Sequence, residues 1–180
     1  DFAAQLSGDG IASKSKLAEA YLKVKETKAG SSYLSDFAPY LASYNDQAAF
    51  VAVPIYDGLK QIGVLAMQYP IEKLTDIMNA NKAWQSIGLG VSGDVYMFGS
   101  DKLLRTNARY LLEDIVKGLL DKKNTTIGLV KVDSDAARLS LEGKVGIVDF
   151  LDYRGVASIG AYAPVKVQGL NWGLIAQINE

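Results

Sequence analysis

The feature of this sequence that most constrains its fold is an internal repeat. The stretch FVAVPIYDGLKQIGVLA, residues 50–66, aligns without a gap with GAYAPVKVQGLNWGLIA, residues 160–176. Each stretch carries a proline at its fifth position, and Gly63 aligns with Gly173. Both have the pattern of a strand, a polar turn and a second strand. The offset of 110 residues is the size of one small α+β module, so the repeat predicts two modules in tandem.

The two modules are expected to be joined by a helix. We expect the first module to span residues 1–69, the connecting helix residues 70–87 and the second module residues 88–180. The apolar residues of the connecting segment recur at roughly helical spacing: Leu74, Ile77, Met78, Trp84 and Ile87.

The first module is expected to be incomplete at its N-terminus. Its amphipathic helix has an apolar face formed by Leu17, Ala20, Tyr21 and Val24. The second module opens with an expected hairpin in DVYMFGSDKLLRTN, residues 94–107, with GSDK as the turn. The first module contains no equivalent of this opening hairpin.

The remainder of the second module predicts one helix and three strands. An apolar stripe marks the helix: Leu112, Ile115, Val116, Leu119 and Leu120. The strands are expected around KVGIVDFLDY, VASIGAYAPV and NWGLIAQIN, with turns near Arg154–Gly155 and Gln168–Gly169. The predicted fold class is therefore α+β, with antiparallel sheets flanked by helices.

The stretch GLGVSG, residues 88–93, matches the dinucleotide-binding pattern G-x-G-x-x-G. That pattern binds a pyrophosphate when a strand precedes the glycines and a helix follows them. Here the expected order is reversed, because a helix precedes the glycines and a strand follows. We therefore expect Gly88, Gly90 and Gly93 to end a helix and lead into a sheet.

Composition excludes several classes of function. The chain has 19 basic and 20 acidic residues, so no strong field favours nucleic acid or an anionic membrane surface as a principal partner. It has no cysteine and no histidine, which excludes a catalytic triad based on either, as well as zinc-finger geometry. No cofactor is expected.

The run GLGVSGDVYMFGSDKLLRTNARYL resembles a GLGxTGExYLVGxDxxMRSxSRF pattern found in extracytoplasmic sensor regions of the double PDC, or dCache, type. Flanking pieces resemble the corresponding parts of those sensors, so the resemblance covers nearly the whole chain: SDFAPYLASYNDQAAFVAVPI, GVLAMQYPIEKLTDIM, DYRGV and WGLIAQINE. Ser92 stands where threonine is usual, and Asp94 stands where glutamate is usual. The resemblance implies tandem PAS-like PDC/Cache modules.

The resemblance also implies a function. Such modules lie outside the inner membrane, between two membrane helices, and pass a conformational signal to cytoplasmic domains. The implied protein is a methyl-accepting chemotaxis protein, with a histidine kinase or a nucleotide cyclase as the alternative. Its implied ligand is a small molecule such as an amino acid, an organic acid or an amine. The full receptor is implied to be a homodimer that meets the membrane only through flanking helices absent from this chain.

Candidate ligand-binding residues of the first module cluster ahead of its hairpin. Asp36, Tyr40 and Tyr44 precede the strand that begins at Phe50. Rigid aromatic walls with a few polar groups are typical of pockets for small ligands. The alternative is a loop anchored to its own core by these aromatic residues.

Candidate residues of the second module are Tyr96, Arg105 and Tyr162. Arg105, like Arg109, has the guanidinium geometry that binds a carboxylate through two hydrogen bonds. The alternative for these arginines is a surface ion pair with Asp101 or a neighbouring carboxylate. Tyr96 and Tyr162 lie on expected central strands, where packing in the core with a satisfied hydroxyl is the alternative to lining a pocket.

Carboxylate patterns point to neither catalysis nor a metal. Asp149 and Asp152 are three residues apart on an expected strand, so their side chains point to opposite faces. The DSD sequence at residues 133–135 lacks the glycine and the distal glutamate of a calcium-binding loop. An enzyme and a purely structural spacer are the competing classes of function.

Overall fold

The computed structural model describes residues 4–110, 125–167 and 169–180. The protein is α+β, with short helices and antiparallel sheets. It divides into two compact units. The first unit comprises Asp1–Pro70 with Gln168–Leu170, and the second comprises Ile71–Val167 with Asn171–Glu180. The helix expected between Leu112 and Leu120 lies outside the described residues.

The first unit begins with helix α1, Lys16–Val24. Ser15 Oγ accepts a hydrogen bond from the backbone N–H of Ala18 at 3.1 Å, which satisfies one of the free donors in the first turn. Ala20 and Val24, four residues apart, lie on one face and pack into the core of this unit. The amphipathic helix predicted from the sequence is confirmed.

The described residues of the first unit form two small sheets. Strands β1 (Tyr33–Leu34), β4 (Phe50–Asp57) and β5 (Lys60–Gln68) form one sheet in the order β1-β4-β5. Strands β2 (Ala38–Tyr40) and β3 (Asp46–Ala48) form a separate two-stranded sheet. The hairpin predicted for the first copy of the repeat is therefore present as β4 and β5.

The β4–β5 hairpin contains one irregularity. Its register shifts between Ile55 and Tyr56, as in a β-bulge. Before the shift, Phe50 and Ala52 alternate onto the buried face and pack in the same cluster as Val24. The shift changes which residues of β5 lie opposite which residues of β4.

The second unit begins with helix α2, Ile71–Met78. The prediction of a helix over residues 70–87 was wrong beyond Met78. Ala80, Asn81 and Lys82 have φ angles of 45°, 52° and 67°, which an α-helix does not accommodate. Trp84 therefore lies in a series of turns that leads to the next strand.

Four strands of the described ranges form the sheet of the second unit. They are β6 (Asp94–Phe98), β7 (Gly146–Leu151), β8 (Ala157–Val167) and β9 (Leu170–Asn179), in the order β6-β9-β8-β7. Strand β9 therefore has a neighbour on each side. The three C-terminal strands predicted from the sequence are confirmed.

The chain reverses direction after β6, as the sequence predicted. The N–H of Gly99 donates to the carbonyl of Leu103 at 3.0 Å, and the N–H of Arg105 donates to the carbonyl of Met97 at 2.7 Å. Lys102 provides the left-handed residue of the turn, with φ 64°. The returning arm makes only isolated bridges rather than a regular strand.

Helix α3, Asp135–Leu141, was not predicted from the sequence. Ser134 caps it through a hydrogen bond from the N–H of Ala137 to Ser134 Oγ. The helix contacts β7 and β8. It helps to enclose a buried cluster: Tyr96, Phe98, Leu104, Ala108, Val130, Val132, Ala136, Ala137, Tyr162 and Ile175.

The glycines at residues 88–93 lie in turns directly ahead of β6. Gly88 and Gly90 have φ angles of 86° and 57°, which suit a turn. The strand follows the glycines, so the order required for a dinucleotide cradle is absent here.

None of the described helices is both long and apolar enough to cross a membrane.

Candidate functional site

A cavity of about 400 Å³ lies in the first unit and is open to solvent, since its lining residues Ile11 and Leu41 are 91% and 65% exposed. One wall comes from the segment that precedes α1, and the other comes from the β2–β3 hairpin with its connecting turn. The described lining residues are Ala4, Ile11, Ala12, Lys14, Ser15, Pro39, Tyr40, Leu41, Ala42 and Asn45. Cavities of this size and mixed lining accommodate small molecules.

Local backbone geometry forms the hairpin wall. Leu41–Ser43 is a single 3-10 turn, and it is followed by Tyr44 and Asn45 with φ angles of 54° and 61°. The N–H of Asn45 donates to the carbonyl of Tyr40 at 3.0 Å and closes the loop. These turns bring Leu41 and Asn45 to the same cavity.

The buried side chain of Tyr40 anchors this wall to the core. Its ring packs edge-on against the ring of Phe50, with 4.9 Å between the ring centroids. Edge-on aromatic pairs stabilise beyond the burial of their area. Tyr40 therefore links the cavity wall to the sheet formed by β4 and β5.

The opposite wall is fixed by the start of α1. Ser15 Oγ donates to the carbonyl of Ala12 at 2.6 Å and accepts from the N–H of Ala18. The hydroxyl is thus committed to the helix cap. Lys14, directly before it, is the one charged residue among the described lining residues.

The four predicted residues of the first unit have different surroundings. Tyr40 lines the cavity, and Phe50 is buried behind it. Asp36 is partly buried, and its Oδ1 accepts from the N–H of Phe37 at 2.7 Å. The side chain of Tyr44 is 92% exposed. The structure brings Tyr40 and Phe50 together, but Asp36 and Tyr44 are not among the described lining residues.

The three predicted residues of the second unit are buried among protein groups. Tyr96 is fully buried, and its hydroxyl donates to Gln177 Oε1 at 2.6 Å. Arg105 is 3% exposed and pairs with Asp101 at 3.1 Å. Tyr162 is buried in the same cluster as Tyr96. The expected alternative for Arg105, a pair with Asp101, is present, but the arginine is buried rather than on the surface.

A buried polar network in the second unit was not predicted from the sequence. Tyr153 donates to Asp94 Oδ2 at 2.6 Å. Arg154 donates to Asp152 Oδ2 through Nε at 2.8 Å and Nη2 at 2.7 Å. Gln177 Nε2 donates to the same Asp152 oxygen at 2.7 Å. The network joins the start of β6, the β7–β8 turn and the end of β9.

Electrostatics in this network are dominated by burial. Burial raises the pKa of Asp94, against the lowering effect of the hydrogen bonds from Tyr153 and from the backbone of Arg109. Burial also raises the pKa of Tyr96 and of Tyr153, and the nearby carboxylates add to both shifts. The Arg154 guanidinium lies 3.9 Å from the ring centroid of Tyr110. Each described member forms a hydrogen bond or an ion pair with another residue of the second unit.

Sequence reasoning missed most of the cavity. Of the described lining residues, it named only Tyr40 as a candidate for ligand binding. The proximity of Lys14 to the hairpin depends on tertiary packing, and no local pattern in residues 10–15 indicates it.

The similarities to known proteins are found in the fold. No protein-family model matches the sequence, and no curated protein matches it. The periplasmic sensory domain of the Campylobacter jejuni chemoreceptor Tlp1 is similar, with a TM-score of 0.59 and 18% identity over 91% of this chain. The ligand-binding domain of the Pseudomonas aeruginosa amino acid chemoreceptor PctB, in complex with L-Arg, has a TM-score of 0.54 and 18% identity over 98% of this chain.

A third similar structure is the ligand-binding domain of the P. aeruginosa chemoreceptor PctC in complex with GABA, with a TM-score of 0.52 and 14% identity over 98% of this chain. The present chain spans 54% of the Tlp1 structure, 64% of PctB and 66% of PctC. At such low sequence identity, the similarity shows a shared fold and nothing further. This chain has the fold of the sensory, ligand-binding domains of chemoreceptors.

Proposed function

We propose that this chain is the periplasmic ligand-sensing part of a transmembrane receptor, and that the receptor is a methyl-accepting chemotaxis protein. The supporting observation is the fold, which is shared with two chemoreceptor sensory domains over 91% and 98% of the chain. A histidine kinase or a nucleotide cyclase is the alternative output. The chain is proposed to act by binding rather than by catalysis, because the structures that share its fold are sensory, ligand-binding domains and it lacks histidine, the commonest general base.

The proposed binding site is the cavity of the first unit. Its volume of about 400 Å³ and its apolar lining with a few polar groups suit a small molecule. In this proposal Tyr40 contacts the ligand, and Phe50 holds its ring. The buried residues Tyr96, Arg105 and Tyr162 stabilise the second unit instead.

A ligand screen tests this function. Amino acids, organic acids and amines are screened by thermal shift, and a ligand at 100 times its Kd stabilises the protein by about 2.7 kcal/mol. The variant Ala42→Trp fills the cavity, while Ala161→Trp adds the same side chain to an exposed position of β8. We expect binding to be lost in the first variant and retained in the second. A chain that responds to no compound is the structural spacer, and the proposal is then wrong.

We further propose that the two units are tandem PDC modules and that the first lacks its opening strand in this chain. Strand β5 aligns with β9 through the repeat. Strand β9 pairs with β6 from Gly173 to Gln177, whereas β5 pairs with β4 alone among the described strands. The repeat offset of 110 residues relates residues 173–177 to residues 63–67, so we expect the absent strand to pair with residues 63–67. The full receptor is proposed to be a homodimer.

Hydrogen exchange distinguishes a missing strand from a free edge. A longer chain that includes the natural residues before Asp1 is compared with the present chain. We expect the backbone N–H groups of residues 63–67 that do not bond to β4 to exchange more slowly in the longer chain. Equal exchange in the two chains contradicts the proposed strand. The amides of β9 serve as the internal control, since β9 already has two neighbours.

A further inference from the structure

The described wall of the cavity carries positive charge but no negative charge. Lys14 is the one charged residue in it, and the described wall contains no carboxylate. An ammonium group on a ligand therefore has no ion-pair partner among these residues. A carboxylate on a ligand has one.

Lys14 is available for such a contact. It makes no hydrogen bond or ion pair with any described residue. The neighbouring cation, Lys16, already pairs with Glu19 at 2.6 Å. Glu19 also accepts from the hydroxyl of Tyr33, so this carboxylate is already occupied. Lys14 is thus the cation of this region that a ligand can engage without breaking a contact described here.

The remaining wall is suited to the short aliphatic chain of a ligand. Six of the ten described lining residues are alanine, isoleucine, leucine or proline. The hydroxyl of Ser15 is committed to the cap of α1 through its contacts with Ala12 and Ala18. A ligand with one charged end and an aliphatic chain uses both features of the wall.

Resting on the proposed function, we infer that the cavity binds small aliphatic carboxylates and that Lys14 binds their carboxylate group. The ligand's apolar chain contacts the alanines and Leu41, and its charged end is held by the ammonium of Lys14. The inference goes beyond ligand sensing, because it favours simple carboxylates over amines and over amino acids of the same length.

Three ligands of equal length test the charge preference. Pentanoate has only a carboxylate, 4-aminobutanoate adds an ammonium group at the far end, and pentylamine has only the ammonium group. Binding of each is measured by calorimetry with the folded protein. We expect pentanoate to bind more tightly than the other two. Equal or tighter binding of either amine-containing ligand overturns the inference.

Variants of Lys14 test the assigned residue. Lys14→Met removes the charge at similar length, Lys14→Arg keeps it, and Lys23→Met removes an exposed charge of α1 outside the described wall. Lys14 is exposed, so loss of its ion pair predicts pentanoate binding weaker by about fivefold in Lys14→Met. Binding within about twofold of wild type is expected in the other two variants.

The outcomes separate this inference from the proposed function. A ligand that is lost in Ala42→Trp but binds Lys14→Met as tightly as the wild type leaves the sensor function intact and refutes the role of Lys14. Failure of every compound in the screen to bind refutes both.

Discussion

Strands β5 and β9 have similar sequences but different surroundings. Ile62 and Trp172 occupy equivalent positions of the repeat, yet Ile62 is 61% exposed and Trp172 is 4% exposed. Leu65 is 49% exposed, whereas the equivalent Ile175 is fully buried. Strand β9 lies between β6 and β8, whereas β5 pairs with β4 alone among the described strands. The neighbours of a strand therefore contribute to the burial of its residues, in addition to the strand's own sequence pattern.

The register of the hairpin contributes to the same difference. The shift between Ile55 and Tyr56 changes the pairing of β5 with β4. In a strand, a shift of one residue exchanges the two faces. Residues aligned in the repeat consequently need not share a face, and the comparison of β5 with β9 can be tested position by position.

The largest expected difference is between Trp172 and Ile62. Trp172→Ala should lower the free energy of unfolding by about 3–5 kcal/mol, because it empties a buried position. Ile62→Ala should change it by less than about 0.5 kcal/mol, because Ile62 is mostly exposed. Urea denaturation followed by circular dichroism measures both. Similar losses of unfolding free energy in the two variants would mean that β5 is buried to the same degree as β9.

The next expected effect concerns Gln177 and Met67, which are equivalent in the repeat. Gln177→Met removes the acceptor of the Tyr96 hydroxyl and a donor to Asp152, and should cost about 3 kcal/mol. Met67→Gln should be close to neutral, because Met67 is exposed. Denaturation midpoints compare the two. A Gln177→Met variant as stable as the wild type would show that the buried network contributes little.

Two aligned glycines provide a smaller contrast. A Cβ at residue 173 lies 2.4 Å from Phe98 Cζ, whereas the nearest atom to a Cβ at residue 63 is Ile55 Cδ1 at 3.9 Å. Gly173→Ala should therefore cost about 1–3 kcal/mol through overpacking. Gly63→Ala should be neutral or slightly stabilising, because alanine restricts the unfolded chain. Thermal denaturation of the two variants checks this, and a loss at residue 63 would indicate a hidden neighbour there.

The smallest expected effect is an opposite pH dependence of one carboxyl group in each unit. Burial raises the pKa of Asp94 above 3.8, so its contribution to stability is complete below that pH and is lost as pH rises through the folded pKa. Burial alone would raise the pKa of Glu19, but hydrogen bonds from Lys16 and Tyr33 outweigh it and lower the pKa below 4.5. The contribution of Glu19 is therefore complete above pH 4.5 and is lost as pH falls through the folded pKa.

Unfolding free energies measured from about pH 3 to pH 7 test the two signs. The stability of the wild type relative to Asp94→Asn should decrease as pH rises. Its stability relative to Glu19→Gln should increase over the same range. Slopes of the same sign would contradict the assignment for one of the two groups.

Local patterns were sufficient to predict much of the sheet structure. Strands β7, β8 and β9 follow alternating residues bounded by turn residues such as Gly155, and the capped apolar face of α1 is equally local. Helix α2 was predicted too long, because Asn81 and its neighbours adopt left-handed angles that helical spacing does not reveal. Helix α3 was missed, because its seven residues lack a long apolar stripe.

Long-range contacts could not be predicted from local patterns. Tyr96 meets Gln177 across 81 positions of the chain, and Tyr153 meets Asp94 across 59. Residue types at such separations carry no spacing signal. The same holds for the cavity, where Lys14 and Asn45 line one space through packing alone.

The position of β9 between two antiparallel neighbours has a mechanical consequence. A force along β9 loads its hydrogen bonds to β6 and β8 in shear, so many bonds must break together before the strand slides. Strand β5, with one described neighbour, can peel from β4 one bond at a time. We therefore expect a force on residue 179 to displace the sheet of the second unit as a whole rather than to detach β9 from it.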